Sequence, residues 1–124
     1  LQASGVHVAI ITGRTSHIVA KRASDLGIQH LIQGREDKLN ALSELLTDLN
    51  IAHEAIAHMG DDYPDLPIIR RVGLGLAPAN AHPIIKQHCQ WQSQHCGGDG
   101  AVREACDMIM SAQGTFDHAL SAYL

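Results

Sequence analysis

At 124 residues, with 45% hydrophobic and 18% charged side chains, the chain has the composition of one globular domain and not of a disordered segment. Its net charge of −4 excludes a general binder of nucleic-acid backbone, which needs a basic face. No apolar run approaches the roughly 20 residues of a membrane-spanning helix.

Leu1-Gln2-Ala3-Ser4-Gly5 reads as a helix end with a Gly stop, so part of the domain is expected upstream of Leu1. Val6 to Ile11 is an apolar run of strand length, interrupted only by His7, as expected of a strand covered on both faces. Thr12-Gly13-Arg14-Thr15-Ser16 breaks it, and Ser16 or Thr15 can cap a helix running to about Leu26, where Gly27 stops it. His30 to Gln33 is a short second strand before Gly34. Leu39, Leu42, Leu45, Leu46 and Leu49 then fall on one stripe at helical spacing. Ala55 to Met59 predicts a third strand, and the loop Gly60-Asp61-Asp62-Tyr63-Pro64-Asp65 leads into a helix near Asp65 to Arg71. Val72 to Ala77 is a fourth strand whose glycines permit close backbone approach. A short helix is expected near Pro83 to His88, and a short edge strand within Gln90 to His95. The turn Cys96 to Gly100 precedes an amphipathic helix, Ala101 to Ala112, with Val102, Ala105, Met108 and Ile109 inward. The domain is thus expected over residues 1–112, with 113–124 as a C-terminal tail.

Alternating strands and helices imply an α/β fold: a Rossmann-like parallel sheet with helices on both faces, joined by right-handed crossovers. Ligands of such sheets collect beyond the carboxyl ends of the strands. Thr12, the Gly34 loop and Asp61 each follow a strand, so all three are expected on one sheet edge.

Three carboxylates in one short loop repel one another. Asp61, Asp62 and Asp65 therefore need a cation, a hydrogen-bond network or a reaction to hold them together. Asp61 and Asp65 can face one point if Asp65 lies in the following helical turn. Hard oxygen ligands suit Mg²⁺, which takes one or two carboxylates plus waters and substrate phosphate. The competing reading is a solvated turn in which an Asp caps the helix, with Pro64 near its first position. Thr12, before a helix N-terminus, can hold a phosphoryl oxygen together with backbone N–H groups, and Arg14 can contact phosphate or a carboxylate. Their plainer roles are a cap and a solvated arginine. Lys38 sits near a helix N-terminus, where the macrodipole disfavours a cation; a bound phosphate, the acidic loop, or Glu36 and Asp37 must offset this. Nine histidines show no HxH or HExxH spacing, and Cys89, Cys96 and Cys106 form no CxxC, so reduced thiols are expected. The Gly97–Gly100 turn lacks the arrangement of a phosphate loop.

The order strand-Thr-Gly-Arg, then Lys, then strand-Gly-Asp-Asp-x-x-Asp resembles the second, third and fourth motifs of the haloacid dehalogenase superfamily of phosphotransferases. With Gln33-Gly34, Asp37-Lys38, Asp65-Leu66-Pro67 and Gly97-Gly98-Asp99-Gly100-Ala101-Val102-Arg103-Glu104, nearly the whole chain is similar to its capless branch. Within that branch the chain looks like the phosphatases that act on 3-deoxy-D-manno-octulosonate 8-phosphate in lipopolysaccharide biosynthesis. The resemblance implies a cytoplasmic, Mg²⁺-dependent phosphomonoester hydrolase for a phosphorylated sugar acid, with no nucleic-acid or membrane partner. It also implies a homotetramer in which a neighbouring subunit completes the active site. It gives Thr12 the phosphoryl-binding hydroxyl and Gly13 the backbone beside it. Lys38 becomes the lysine that offsets charge, Asp61 the Mg²⁺ ligand, and Asp62 and Asp65 supporting acids. Arg14 meets the substrate. Arg103 and the tail after Gly114 become candidates for reaching an adjacent site, a surface salt bridge being the alternative for Arg103.

One departure is decisive. The superfamily's Asp-x-Asp, which supplies nucleophile and general acid/base, occurs nowhere in these residues, and the family pattern puts it upstream of Leu1. Transfer through an aspartyl-phosphate needs that carboxylate, so the chain alone is expected to be inactive. Competing expectations are a phosphatase for nine-carbon sugar-acid phosphates and a non-catalytic oligomerisation domain of related fold. A flavodoxin-like or response-regulator-like domain explains neither the Gly-Asp-Asp loop nor the Gly-rich segment before Glu104.

Overall fold

The computed structural model describes residues 1–124. β1 (Ala9–Ile11) leads into α1 (His17–Asp25), where the Ser16 hydroxyl caps the helix by accepting the Val19 N–H at 3.4 Å. β2 (His30–Ile32) runs parallel to β1, with Ala9 opposite His30 and Ile11 opposite Ile32. α2 (Lys38–Leu49) follows and ends at Asn50, which takes the left-handed conformation at φ 54°. β3 (Ala57–Met59) precedes a 3₁₀ turn over Tyr63–Asp65 that passes directly into the single-turn helix α3 (Leu66–Ile69). β4 (Leu74–Ala77), α4 (Pro83–His88), β5 (Trp91–Gln92), α5 (Ala101–Gln113) and α6 (Phe116–Ser121) complete the chain. No helix is long and apolar enough to cross a membrane.

Every strand pair is parallel, but the ladders fall into two groups, β1–β2 and β3–β4–β5. No backbone ladder joins β1 to β3. What holds the groups together is α2: Leu42 and Leu46 from its leucine stripe pack with Ile68 and Val72, and Ile11 of β1 and Ile56 beside β3 lie against them. A second core comprises Ile69, Ala77, Ala81 and Ile85. α3 stands between the two. Adjacent helix residues point roughly 100° apart, so Ile68 enters one core and Ile69 the other, each at 0% exposure. Burying each stabilises the fold by about 1.5–3 kcal/mol.

The strands are shorter than the apolar runs that signal them. Val72 belongs to the turn after α3, its N–H donating to the Ile68 carbonyl at 3.0 Å, and Gly73 donates to His53 instead of entering the ladder. Val102 is a correction: it is 65% exposed, because Ala101, Ala105 and Met110 take the inward line of α5. Residues 113–124, expected as a tail, turn at Gly114 (φ 76°) and continue as α6, which packs on α5.

Ile68→Ala should cost about 2–5 kcal/mol of unfolding free energy in urea denaturation. Val102→Ala, on the open face of α5, should change it by less than about 0.5 kcal/mol.

Candidate active site

Beyond Met59 the chain must turn sharply, and Gly60 makes that possible. A Cβ there would lie 2.2 Å from the Asp65 Cβ, so only glycine lets Asp65 fold back under the loop. Asp62 caps the 3₁₀ turn by accepting the Tyr63 N–H at 2.8 Å, Pro64 sits within that turn, and the Asp62 N–H reaches back to Asp65 Oδ2 at 3.4 Å. Asp65 is thereby carried inward, to 4% exposure.

A carboxylate this buried must be paired. Its Oδ1 accepts from Lys38 Nζ at 3.0 Å and from His58 Nε2 at 3.0 Å, and its Oδ2 accepts the Asp61 N–H at 3.1 Å. Burial alone would raise the Asp65 pKa. The hydrogen bonds and charges of His58 and Lys38 outweigh it and hold the carboxyl at about 2, below its ordinary 3.8. The same ion pair answers the question posed by Lys38, the first residue of α2. Asp37 makes no capping bond there, since Arg35 engages its carboxylate at 3.0 and 2.6 Å. Lys38 faces Asp65 instead.

Thr12 follows β1, in the other ladder, so the single sheet edge expected for Thr12, the Gly34 loop and Asp61 is replaced by the ends of two ladders that loops connect. The Thr12 hydroxyl accepts the Arg14 N–H at 3.2 Å, its carbonyl accepts the Arg35 N–H at 3.3 Å, and Gly34 donates to the Arg14 carbonyl at 3.2 Å. A bonded route therefore runs from Thr12 through the Gly34–Arg35 loop to Lys38, then through Asp65 to Asp61 and Asp62. Gly13 and the Arg14 side chain are exposed on the Thr12 loop. Arg103 is exposed on α5 and makes no hydrogen bond or ion pair with these residues.

The three acids divide their duties. Asp65 does not share an outward focus with Asp61, as the spacing allowed; its carboxylate is spent inward. Asp62 is the cap. Asp61 is tied by backbone alone, its N–H to Asp65 and its carbonyl to the His82 N–H at 2.9 Å, which leaves its exposed carboxylate free. No group of three or more His, Cys, Asp or Glu side chains is disposed to hold a metal. One free carboxylate fits a hard divalent cation that keeps most of its waters, and not a closed tetrahedral site. His58 is the participant that sequence reasoning passed over. Its signal was a lone polar residue inside the apolar strand leading to the acidic loop.

A family profile described as haloacid dehalogenase-like hydrolase matches residues 27–104. The 3-deoxy-D-manno-octulosonate 8-phosphate phosphatase KdsC of Escherichia coli K12 is 47% identical over 116 residues, 94% of this chain. The chain spans only 62% of that relative's length. Among solved structures, a probable YrbI family phosphatase from Pseudomonas syringae superposes with TM-score 0.96 at 53% identity, over 98% of this chain and 69% of that one. The 3-deoxy-D-manno-octulosonate 8-phosphate phosphatase of Moraxella catarrhalis, solved with magnesium ion, phosphate ion and KDO, superposes with TM-score 0.97 at 41% identity, over 99% and 71% of the two chains.

Two measurements probe the Asp65 cluster. Gly60→Ala should displace Asp65 and destabilise the fold by about 1–3 kcal/mol or more, since the buried donors lose their acceptor. Because the folded-state pKa of Asp65 lies below its unfolded value, its ionisation favours the folded state in full above about pH 4, and that contribution fades as the pH falls towards about 2. Urea midpoints of the wild type should therefore drop more steeply across this window than those of Asp65→Asn.

Proposed function

The chain belongs to the haloacid dehalogenase-like hydrolases, and on that footing we propose that it carries most of the active site of a Mg²⁺-dependent phosphomonoester hydrolase acting on 3-deoxy-D-manno-octulosonate 8-phosphate. The observation that supports this best is the bonded route from Thr12 through Lys38 to Asp61, which links a hydroxyl, a fixed ammonium and a free carboxylate through the loops that follow β1, β2 and β3. Phosphoryl transfer is largely a matter of positioning and charge stabilisation, and these three groups supply the necessary types.

In this reading the Thr12 hydroxyl and the Gly13 backbone hold phosphoryl oxygens. Lys38 is a positive charge that cannot swing into solvent, because its partner carboxylate is buried and shared with His58. Asp61 holds Mg²⁺, which when bound offsets charge on the phosphoryl oxygens. Asp62 and Asp65 support it by setting the loop. Arg14, exposed on the Thr12 loop, meets the sugar-acid carboxylate, for which a guanidinium offers bidentate geometry. Residues 1–112 form the catalytic domain. Arg103 and residues 113–124 serve a neighbouring copy in a cytoplasmic homotetramer. The 124 residues contain no Asp-x-Asp pair, so they bind phosphate without turning the ester over.

Calorimetric titration of the chain with inorganic phosphate should reveal binding that requires Mg²⁺. Asp61→Ala should abolish the Mg²⁺-dependent binding, and Lys38→Ala should weaken phosphate binding by about 10-fold or more, as expected for a lost charge-assisted contact. No hydrolysis of 3-deoxy-D-manno-octulosonate 8-phosphate should be detected; turnover that Asp61→Ala eliminates would sink the claim of inactivity.

A further inference from the structure

Aromatic residues make up 3% of this chain, yet Tyr63 sits beside Asp62 with 61% of its surface exposed. An exposed ring in the loop that bears the free carboxylate of Asp61, in a chain so poor in rings, needs an account that the phosphate-holding residues do not give. Its neighbour is His82, which follows β4 and caps α4. The His82 backbone N–H donates to the Asp61 carbonyl at 2.9 Å, so the backbone that carries the imidazole is tied to the loop that bears the free carboxylate. The two rings lie 4.7 Å apart at 45°. Tyr63 follows β3 and His82 follows β4, so both stand beyond the same ends of the β3–β4–β5 ladder as Asp61.

The hydrogen bonds fix the polarity of the pair. His82 Nδ1 accepts the Ile84 N–H at 3.1 Å and so carries no proton; in the neutral ring the proton is on Nε2. Nε2 faces the Tyr63 hydroxyl at 3.3 Å. Nε2–H therefore donates, the Tyr63 oxygen accepts, and the phenolic proton is left to donate outward. The pair presents an aromatic face with a free O–H donor, and the two side chains are held to one another by this hydrogen bond and by their ring contact.

Resting on the function proposed above, we infer that Tyr63 and His82 form the wall that recognises the non-phosphate part of the substrate. A polyhydroxylated acid offers C–H faces to the ring and oxygen acceptors to the phenol. Inorganic phosphate offers neither a C–H face nor an extension long enough to leave Thr12 and Lys38. The pair thus discriminates by what the phosphate is attached to.

The test is the ratio of two affinities, for an eight-carbon sugar-acid phosphate and for inorganic phosphate, each titrated into the chain with Mg²⁺ present. Tyr63→Phe keeps the ring and removes the donor, and should lower that ratio by about 5–10-fold; Tyr63→Ala should lower it by about 10-fold or more. A mere staple between α4 and the acidic turn would change stability and leave the ratio alone. An unchanged ratio in Tyr63→Phe overturns the donor role, and an unchanged ratio in Tyr63→Ala as well overturns the wall, while the phosphate site stands. Failure of the wild-type chain to bind inorganic phosphate at all overturns the underlying function and the wall with it.

Discussion

The buried carboxylate of Asp65 ties together parts of the chain that share no backbone ladder. Its donors come from the first residue of α2, from the middle of β3 and from the loop beyond β3. An unpaired charge at this depth would cost several kcal/mol, so each donor is required as much by the carboxylate as the carboxylate is by it. Gly60 makes the arrangement sterically possible, since any larger residue would collide with Asp65 itself. α3 begins at the next residue, and its two buried isoleucines reach into separate cores. The candidate site is therefore braced from below by packing and from the sides by an ion pair.

This bracing explains how three neighbouring acids coexist. One is neutralised by Lys38 and further stabilised by His58, one is occupied with a backbone N–H, and only Asp61 keeps an uncommitted charge. A loop with three free carboxylates would be a strong, indiscriminate cation trap. A loop with one is a weak ligand whose cation must find further partners among waters and substrate, which matches the demands of Mg²⁺.

Much of the fold is legible in the sequence. The leucine stripe fixes α2, Ser16 and Gly27 bound α1, and Pro83 marks the start of α4. The order of Thr12, Lys38 and Asp61 along the chain is what singles them out as candidates. The division of labour among the acids is not legible there, because it depends on Gly60 allowing Asp65 to turn back, a steric fact that spacing does not encode. Strand ends were overrun because burial continues past the ladder: Val72 is 7% exposed yet lies in a turn. The inward face of α5 was misjudged at Val102 because the small residues Ala101 and Ala105 line the core there, and alanine gives little hydrophobic signal. The interruption between β1 and β3 involves partners far apart in sequence, to which local patterning is blind.

That interruption has a colloidal consequence. Five strands in one sheet would present two edges to solvent; divided into two ladders they present four. Each edge is a row of peptide groups able to pair with another molecule, the usual origin of strand-mediated aggregation. The strands run only two to four residues, which keeps any such template short. Each open edge therefore offers another molecule a template of at most four residues.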